Sequence, residues 1–224
     1  MLKLLDLAKE NAPSICRVVN RYSAPQGTAF MLSSRLLITN NHVIYNCEEA
    51  ESFLAEFNYE HEGKKLTHVT RFELNPKDFF VSSHFDDLDF TIVSVGEAVF
   101  GNRKISEFGN CHISNGAITD KKIGEPIHII HHPWGEPKKI DLNGKLDGYT
   151  DRFLYYTANT CSGSSGCPIF NDEFEVIGIH RREAPKEPIN NLNKNTHEGI
   201  SITAILEYLR TKQKIQKDSD ILDL

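Results

Sequence analysis

The apolar residues of this chain come in short runs bounded by turn formers, and that spacing excludes most folds before any motif is considered. Residues 15–19, 28–32, 36–39, 69–72, 90–95, 126–130, 153–157 and 176–180 are rich in Val, Ile, Phe, Tyr and Thr. Runs of this length and content predict strands. Their number and spacing point to an antiparallel sandwich or barrel rather than a βαβ fold, an all-β class. The clear helical pattern comes late: Ile205, Leu206 and Leu209 fall at helical spacing behind Thr203, which is placed as an N-cap. Lys212, Lys214 and Lys217 follow near its end, where they complement the helix dipole. Near the start, Leu2, Leu5 and Leu7 suit a short amphipathic helix that ends before Pro13.

The chain has 224 residues, enough for one large domain or two small fused halves. We divide it into an N-terminal helical segment (1–13), a first β unit (14–98), a glycine-containing connector (99–116), a second β unit (117–202), a helix (203–217) and a frayed tail (218–224). A net charge of −6 argues against a nucleic-acid-binding surface. No apolar run approaches the ~18–20 residues that span a bilayer, so no membrane partner is expected. Lys3 and Asp6 interrupt the first apolar stretch, which therefore does not read as a secretory signal. The five cysteines, Cys16, Cys47, Cys111, Cys161 and Cys167, form an odd set without CxxC spacing. Free thiols in a reducing, cytoplasmic setting are the expectation, with neither structural disulfides nor a zinc site. His68, His84, His112, His128, His131 and His132 lack a helical HxxxH pair or a Cys partner, so no metal and no cofactor is expected.

Three segments carry chemistry. In Thr160-Cys-Ser-Gly-Ser-Ser-Gly-Cys-Pro-Ile-Phe, a serine between glycines can sit on a tight turn. The backbone N–H groups of Gly163 and Ser165 can then converge on one oxygen as an oxyanion hole, where each donor contributes about 3–4 kcal/mol. Taken alone, the segment reads equally well as a Gly/Ser turn between strands. Leu36-Leu-Ile-Thr-Asn-Asn-His42-Val delivers an imidazole at the lip of a strand, within reach of a nucleophile as general base. Asp89 precedes the apolar strand Phe-Thr-Ile-Val, where a partly buried carboxylate can orient that imidazole. The order His42, Asp89, Ser165 is opposite to the Ser–Asp–His order of α/β hydrolases.

With these residues in place, the chain resembles the trypsin-like serine peptidases, especially the bacterial branch that includes staphylococcal glutamyl endopeptidase. Residues 39–43 resemble the histidine motif, 89–95 the aspartate motif and 163–168 the serine motif. Residues 171–180 resemble the strand that follows the serine motif in that branch, and Ile130-His-His-Pro-Trp-Gly-Glu-Pro its histidine–proline–glycine loop. The resemblance covers roughly residues 14–210 and implies two six-stranded antiparallel β-barrels, with the site in the cleft between them and a C-terminal helix. It implies a serine endopeptidase acting on protein or peptide substrates, with Ser165 as nucleophile, His42 as base and Asp89 as its orienting carboxylate. Asp86 and Asp87 compete for that last role, and Asp89 matches the motif best.

The departures from the family pattern are informative. Secreted relatives carry an aspartate just before the nucleophile, where this chain has Ser164, so activation by an ion pair to a new N-terminus is not expected. Cys167 stands where a small residue is usual, and a small buried hydrophobe is its expected role. Glutamyl endopeptidases hold an acidic side chain with a threonine and a histidine at the positions of Thr160 and His180. Arg181 and Arg182 add positive potential, so a preference for Glu or Asp before the scissile bond is expected. The alternatives are a catalytically silent peptidase-like binding module and an esterase using the same three residues. A cytoplasmic peptidase is expected to need tight specificity or control by a regulatory protein partner.

Overall fold

A computed structural model describes residues 2–116, 120–185 and 195–211. Its first half winds β1 (Ile15–Asn20), β2 (Pro25–Met31), β3 (Leu36–Thr39), β4 (Phe53–Phe57), β7 (Thr70–Leu74) and β9 (Phe90–Phe100) into an antiparallel ring. The pairing β3–β9 closes this ring, with Ile38 opposite Ile92. A further strand, β8 (Phe80–Ser83), lies along the first half of β9, and β5 (His61–Glu62) and β6 (Lys65–Leu66) form a separate hairpin. β9 pairs with β3 on one edge and with β8 and then β7 on the other, so it continues to Phe100. The segment expected to be a connector from residue 99 thus begins inside a strand.

The second half is a closed barrel in the order β10-β11-β12-β15-β14-β13. Its strands are β10 (Pro126–His131), β11 (Lys139–Tyr149), β12 (Phe153–Thr157), β13 (Pro168–Phe170), β14 (Val176–Glu183) and β15 (Thr196–Ser201). The architecture is the expected all-β one, with a ring and a closed barrel. β7 alternates buried and half-exposed residues, the period of a strand with one wet face. β1, by contrast, is buried along nearly its whole length because both of its faces are covered.

Among the described residues, three α-helices accompany the strands: α1 (Leu2–Asn11), α2 (Cys47–Ser52) and α3 (Ile202–Thr211). α1 lays Leu4, Leu7 and Ala8 on the core. α2 starts at Asn46, whose side chain accepts from the Glu49 amide at 2.9 Å. α3 begins at Ile202, directly after β15, so Thr203 lies inside the helix rather than at its cap. Lys212, Lys214, Lys217 and the tail 218–224 lie outside the described residues. No helix among the described residues is long and apolar enough to cross a membrane.

The core is threefold. One cluster (Cys16, Val18, Met31, Phe57, Val93) fills the ring, and another (Ile127, Leu146, Tyr156, Ile169) fills the barrel. The largest joins the halves, combining Phe30, Ile38, Phe90 and Ile92 with Ile130, Phe170, Ile179 and Ile200. Phe170 is fully buried there, its ring centroid 5.1 Å from that of Phe174. Truncating it opens a cavity that rigid strands cannot refill, so Phe170→Ala is expected to cost about 3–5 kcal/mol. Denaturant unfolding measures this, and a loss under about 1 kcal/mol would show that the shared core does not depend on this ring.

Candidate active site

Strand register brings the first two candidate residues together. Thr39 pairs with Thr91, so the segment leaving β3 faces the turn that enters β9. The 40–45 turn is held by Val43 and Ile44 amides on the Asn40 carbonyl, each at 3.2 Å. The buried Asn40 side chain donates to the Asp89 carbonyl at 3.0 Å, and Asn41 donates to the Tyr45 carbonyl at 3.0 Å. His42 is thereby turned toward Asp89. The Asp89 carboxylate is fully buried and meets His42 twice: Oδ1 accepts from the backbone N–H at 3.0 Å and Oδ2 meets ring Nδ1 at 2.8 Å. An ionised carboxylate only accepts, so Nδ1 carries the proton and Nε2 presents its lone pair outward. Asp89 takes a φ of +50°, a costly conformation for a residue with a Cβ. Asp86 is exposed beside His84, and Asp87 accepts from Ser83 and pairs with Arg152; among the described residues, Asp89 is the carboxylate bonded to His42.

Ser165 sits on a turn built by its glycines. Gly166 has φ +87°, and a Cβ there would come within 2.1 Å of the Thr28 carbonyl oxygen. Gly163 has φ +90°, and a Cβ there would meet the His132 carbonyl at 2.6 Å. Only glycine satisfies both the conformation and the space at each. The turn is tied to both halves: Thr28 N–H donates to the Ser165 carbonyl at 2.8 Å, and Gly166 N–H to the His180 carbonyl at 3.0 Å. Ser165 Oγ lies 3.5 Å from the carbonyl oxygen of Arg181, whose Nε lies 3.2 Å from Asp89 Oδ2. One residue therefore touches both Ser165 and Asp89. Among the described residues no hydrogen bond joins His42 Nε2 to Ser165 Oγ.

The two amides of the turn point outward for a geometric reason. The Ser162 carbonyl accepts from Trp134 N–H at 2.6 Å, and the Ser164 carbonyl from Cys167 N–H at 3.0 Å. In a trans peptide the next N–H points opposite to its carbonyl. Gly163 N–H and Ser165 N–H are thus directed away from the protein, and neither has a protein acceptor among the described residues. The Gly163 carbonyl is itself fixed by Thr28 Oγ1 at 2.7 Å.

Ser164 is fully buried. Its Oγ accepts from Cys161 N–H at 3.0 Å and meets His131 Nδ1 at 2.8 Å, a neutral contact in place of an ion pair. The neighbouring Cys167 is also fully buried, and burial raises its thiol well above the usual range. Of the residues named for substrate, Thr160 Oγ1 lies 2.9 Å from His197 Nδ1, and the buried His180 has Nδ1 2.6 Å from the Tyr156 hydroxyl. The rings of His180 and His197 meet edge to face with centroids 5.6 Å apart. Burial holds both imidazoles below their ordinary value, His180 strongly so. Arg181, 5% exposed, turns inward onto Asp89 and Glu198, whereas the Arg182 side chain is 42% exposed. Nothing local in the sequence marks His197 or Glu198 for the site; only barrel closure brings them to it.

Burial lowers His131 to about 4 from 6.5. Between these values the unfolded chain holds a proton that the folded protein refuses. Stability is therefore full above pH 6.5 and falls as pH drops toward 4, by on the order of 3 kcal/mol. His131→Asn keeps an acceptor for Ser164 and is expected to flatten that acid slope by this share in melting curves taken across the window. An unchanged slope would place the acid sensitivity at His132 and His180, which burial also lowers.

Residues 27–179 match the family described as a trypsin-like peptidase domain. Over 174 residues the chain is 38% identical to an uncharacterized protein, y4fB, of Sinorhizobium fredii (strain NBRC 101917 / NGR234), covering 73% of this chain but only 26% of that relative's length. Among solved structures, the serine endoprotease from Yersinia pestis is similar with a TM-score of 0.66 and 17% identity, covering 97% of this chain and 68% of that one. The active form of the Rv3671c protease from M. tuberculosis has a TM-score of 0.62 and 16% identity, covering 91% and 82%. At such identities the structural likeness speaks for the fold, which is chymotrypsin-like. The family match extends over most of the chain, and the chain belongs to the trypsin-like peptidase domain family.

Proposed function

We propose that this chain is a serine endopeptidase, and the observation that carries the reading is the double contact of Asp89 with His42 beside the outward amides of Gly163 and Ser165. In this reading Ser165 Oγ attacks the scissile carbonyl while His42 Nε2 takes its proton and later gives it to the leaving amine. Asp89 holds the Nδ1–H tautomer and stabilises the imidazolium without becoming protonated. The two amides receive the developing oxyanion, which costs no reorganisation because neighbouring carbonyls already fix their direction. All five cysteines are free, which supports a reducing, cytoplasmic setting, and regulation by a protein partner belongs to the same proposal.

For specificity we propose an acidic side chain before the scissile bond. Thr160, His197 and His180 form a linked wall whose imidazoles burial holds below their ordinary value, so an arriving carboxylate finds N–H and O–H donors there. The exposed head of Arg182 adds positive potential nearby.

A fluorophosphonate probe reacts with a serine activated by a neighbouring base, whatever the substrate. Labelling of the parent and its loss in Ser165→Ala is the expected result. No labelling of either would instead favour a silent peptidase-like binding module. Among peptides differing only before the scissile bond, Glu is expected to exceed Lys and Phe in kcat/KM by roughly 10–100-fold, the value of one charge-assisted hydrogen bond. Thr160→Val should erode that preference, and faster cleavage after Lys or Phe would overturn it.

A further inference from the structure

Arg181 is a cation set directly against the carboxylate that holds His42, and its surroundings show how that charge is managed. Its Nε lies 3.2 Å from Asp89 Oδ2, its Nη1 2.8 Å from Glu198 Oε1, and its Nη2 donates to the Phe85 carbonyl. The guanidinium also lies over the rings of Phe85 and Phe153, at 4.8 and 5.3 Å from their centroids. Asp89 and Glu198 are buried, and Glu198 takes a second guanidinium, Arg182, at 3.0 Å. β14 and β15 impose this arrangement through their register, which sets Arg182 opposite Glu198. The result is a row of alternating charges, Asp89–Arg181–Glu198–Arg182, that sums to zero. Phe85 continues the row toward the site, its ring edge to face with that of His42 at 6.0 Å.

An arginine alone beside Asp89 would offset the negative charge on which the imidazolium depends. Glu198 removes that difficulty while leaving the guanidinium's fork to aim Oδ2. We infer that Arg181 is a positioning residue that fixes the Asp89 carboxylate against His42, and that Glu198 is the counter-charge that leaves Asp89 electrostatically effective. This rests on the peptidase reading for its catalytic meaning but not for its test.

The test follows the His42 ring by NMR titration, with His42→Gln assigning its resonance. The other charged or titratable groups around the charge row and the 84–89 segment are kept in every variant. These are His180 and Arg182 on β14, His197 on β15, Tyr155 on β12, the His84–Asp86 pair and the Asp87–Arg152 pair. In Glu198→Gln, which keeps an acceptor for Arg181, an anion is lost, the imidazolium is less favoured, and the His42 midpoint is expected to move to lower pH. In Arg181→Met a cation is lost and the midpoint is expected to move to higher pH. Each shift is expected to be about half a pH unit or more. A role limited to folding predicts no such opposition of sign, so midpoints unchanged, or moved the same way, in both variants would overturn the inference. Fluorophosphonate labelling of the same proteins separates the two readings. Opposed shifts with no labelling of the parent would leave the charge row standing and remove the peptidase reading. Opposed shifts with labelling slowed at least tenfold in Arg181→Met establish the positioning role.

Discussion

A carboxylate without solvent exposure is among the more expensive groups a fold can hold, and the site is arranged around meeting that cost at Asp89. Its oxygens receive the His42 amide, the His42 ring and the Arg181 guanidinium, and its carbonyl receives Asn40. These contacts come from the end of β3, the turn after it and β14, so the one charge fixes three segments from both halves of the chain. They also account for a residue with φ +50° where glycine would be easier. A strained conformation costs on the order of 1–3 kcal/mol and persists only where its surroundings over-determine it. Four hydrogen bonds to one residue do that.

Thr28 plays the matching part at the serine turn. Its amide holds the Ser165 carbonyl, and its hydroxyl donates to the Gly163 carbonyl while accepting from His132 N–H. Its own carbonyl receives the Thr39 hydroxyl. A residue of the first ring thus stitches the serine turn of the second barrel to the loop at His132, and Arg17 donates to the Gly135 carbonyl of that same loop. The turn is short and glycine-rich, yet its direction is set by rigid strands, which hold a site to tighter tolerance than loops alone can.

How far this could be read from the chain follows from where each signal resides. Runs such as 15–19 and 90–95 are dense in β-branched and aromatic residues because they fill cores, and they fall in strands. His42, Asp89 and Ser165 were legible because each is embedded in a local context of its own: a strand end, a strand start and a glycine turn. β11 and β15 lack the apolar runs that predict strands. β11 interleaves Lys139, Asp141, Lys145 and Asp147 with its apolar residues, and β15 reads Thr-His-Glu-Gly-Ile-Ser. Every residue of β15 is nonetheless buried, and three of its polar side chains are spent on partners elsewhere in the sequence: Thr196 on Asp147, His197 on Thr160, Glu198 on both arginines. A strand whose composition is set by such partners loses the apolar pattern by which strands are recognised, and a mismatch between local signal and global structure is expected where a fold carries its site. The same reasoning explains Arg181. As a basic residue next to His180 it reads as a surface charge facing substrate, and only the closure of the barrel supplies the two buried carboxylates that turn it inward.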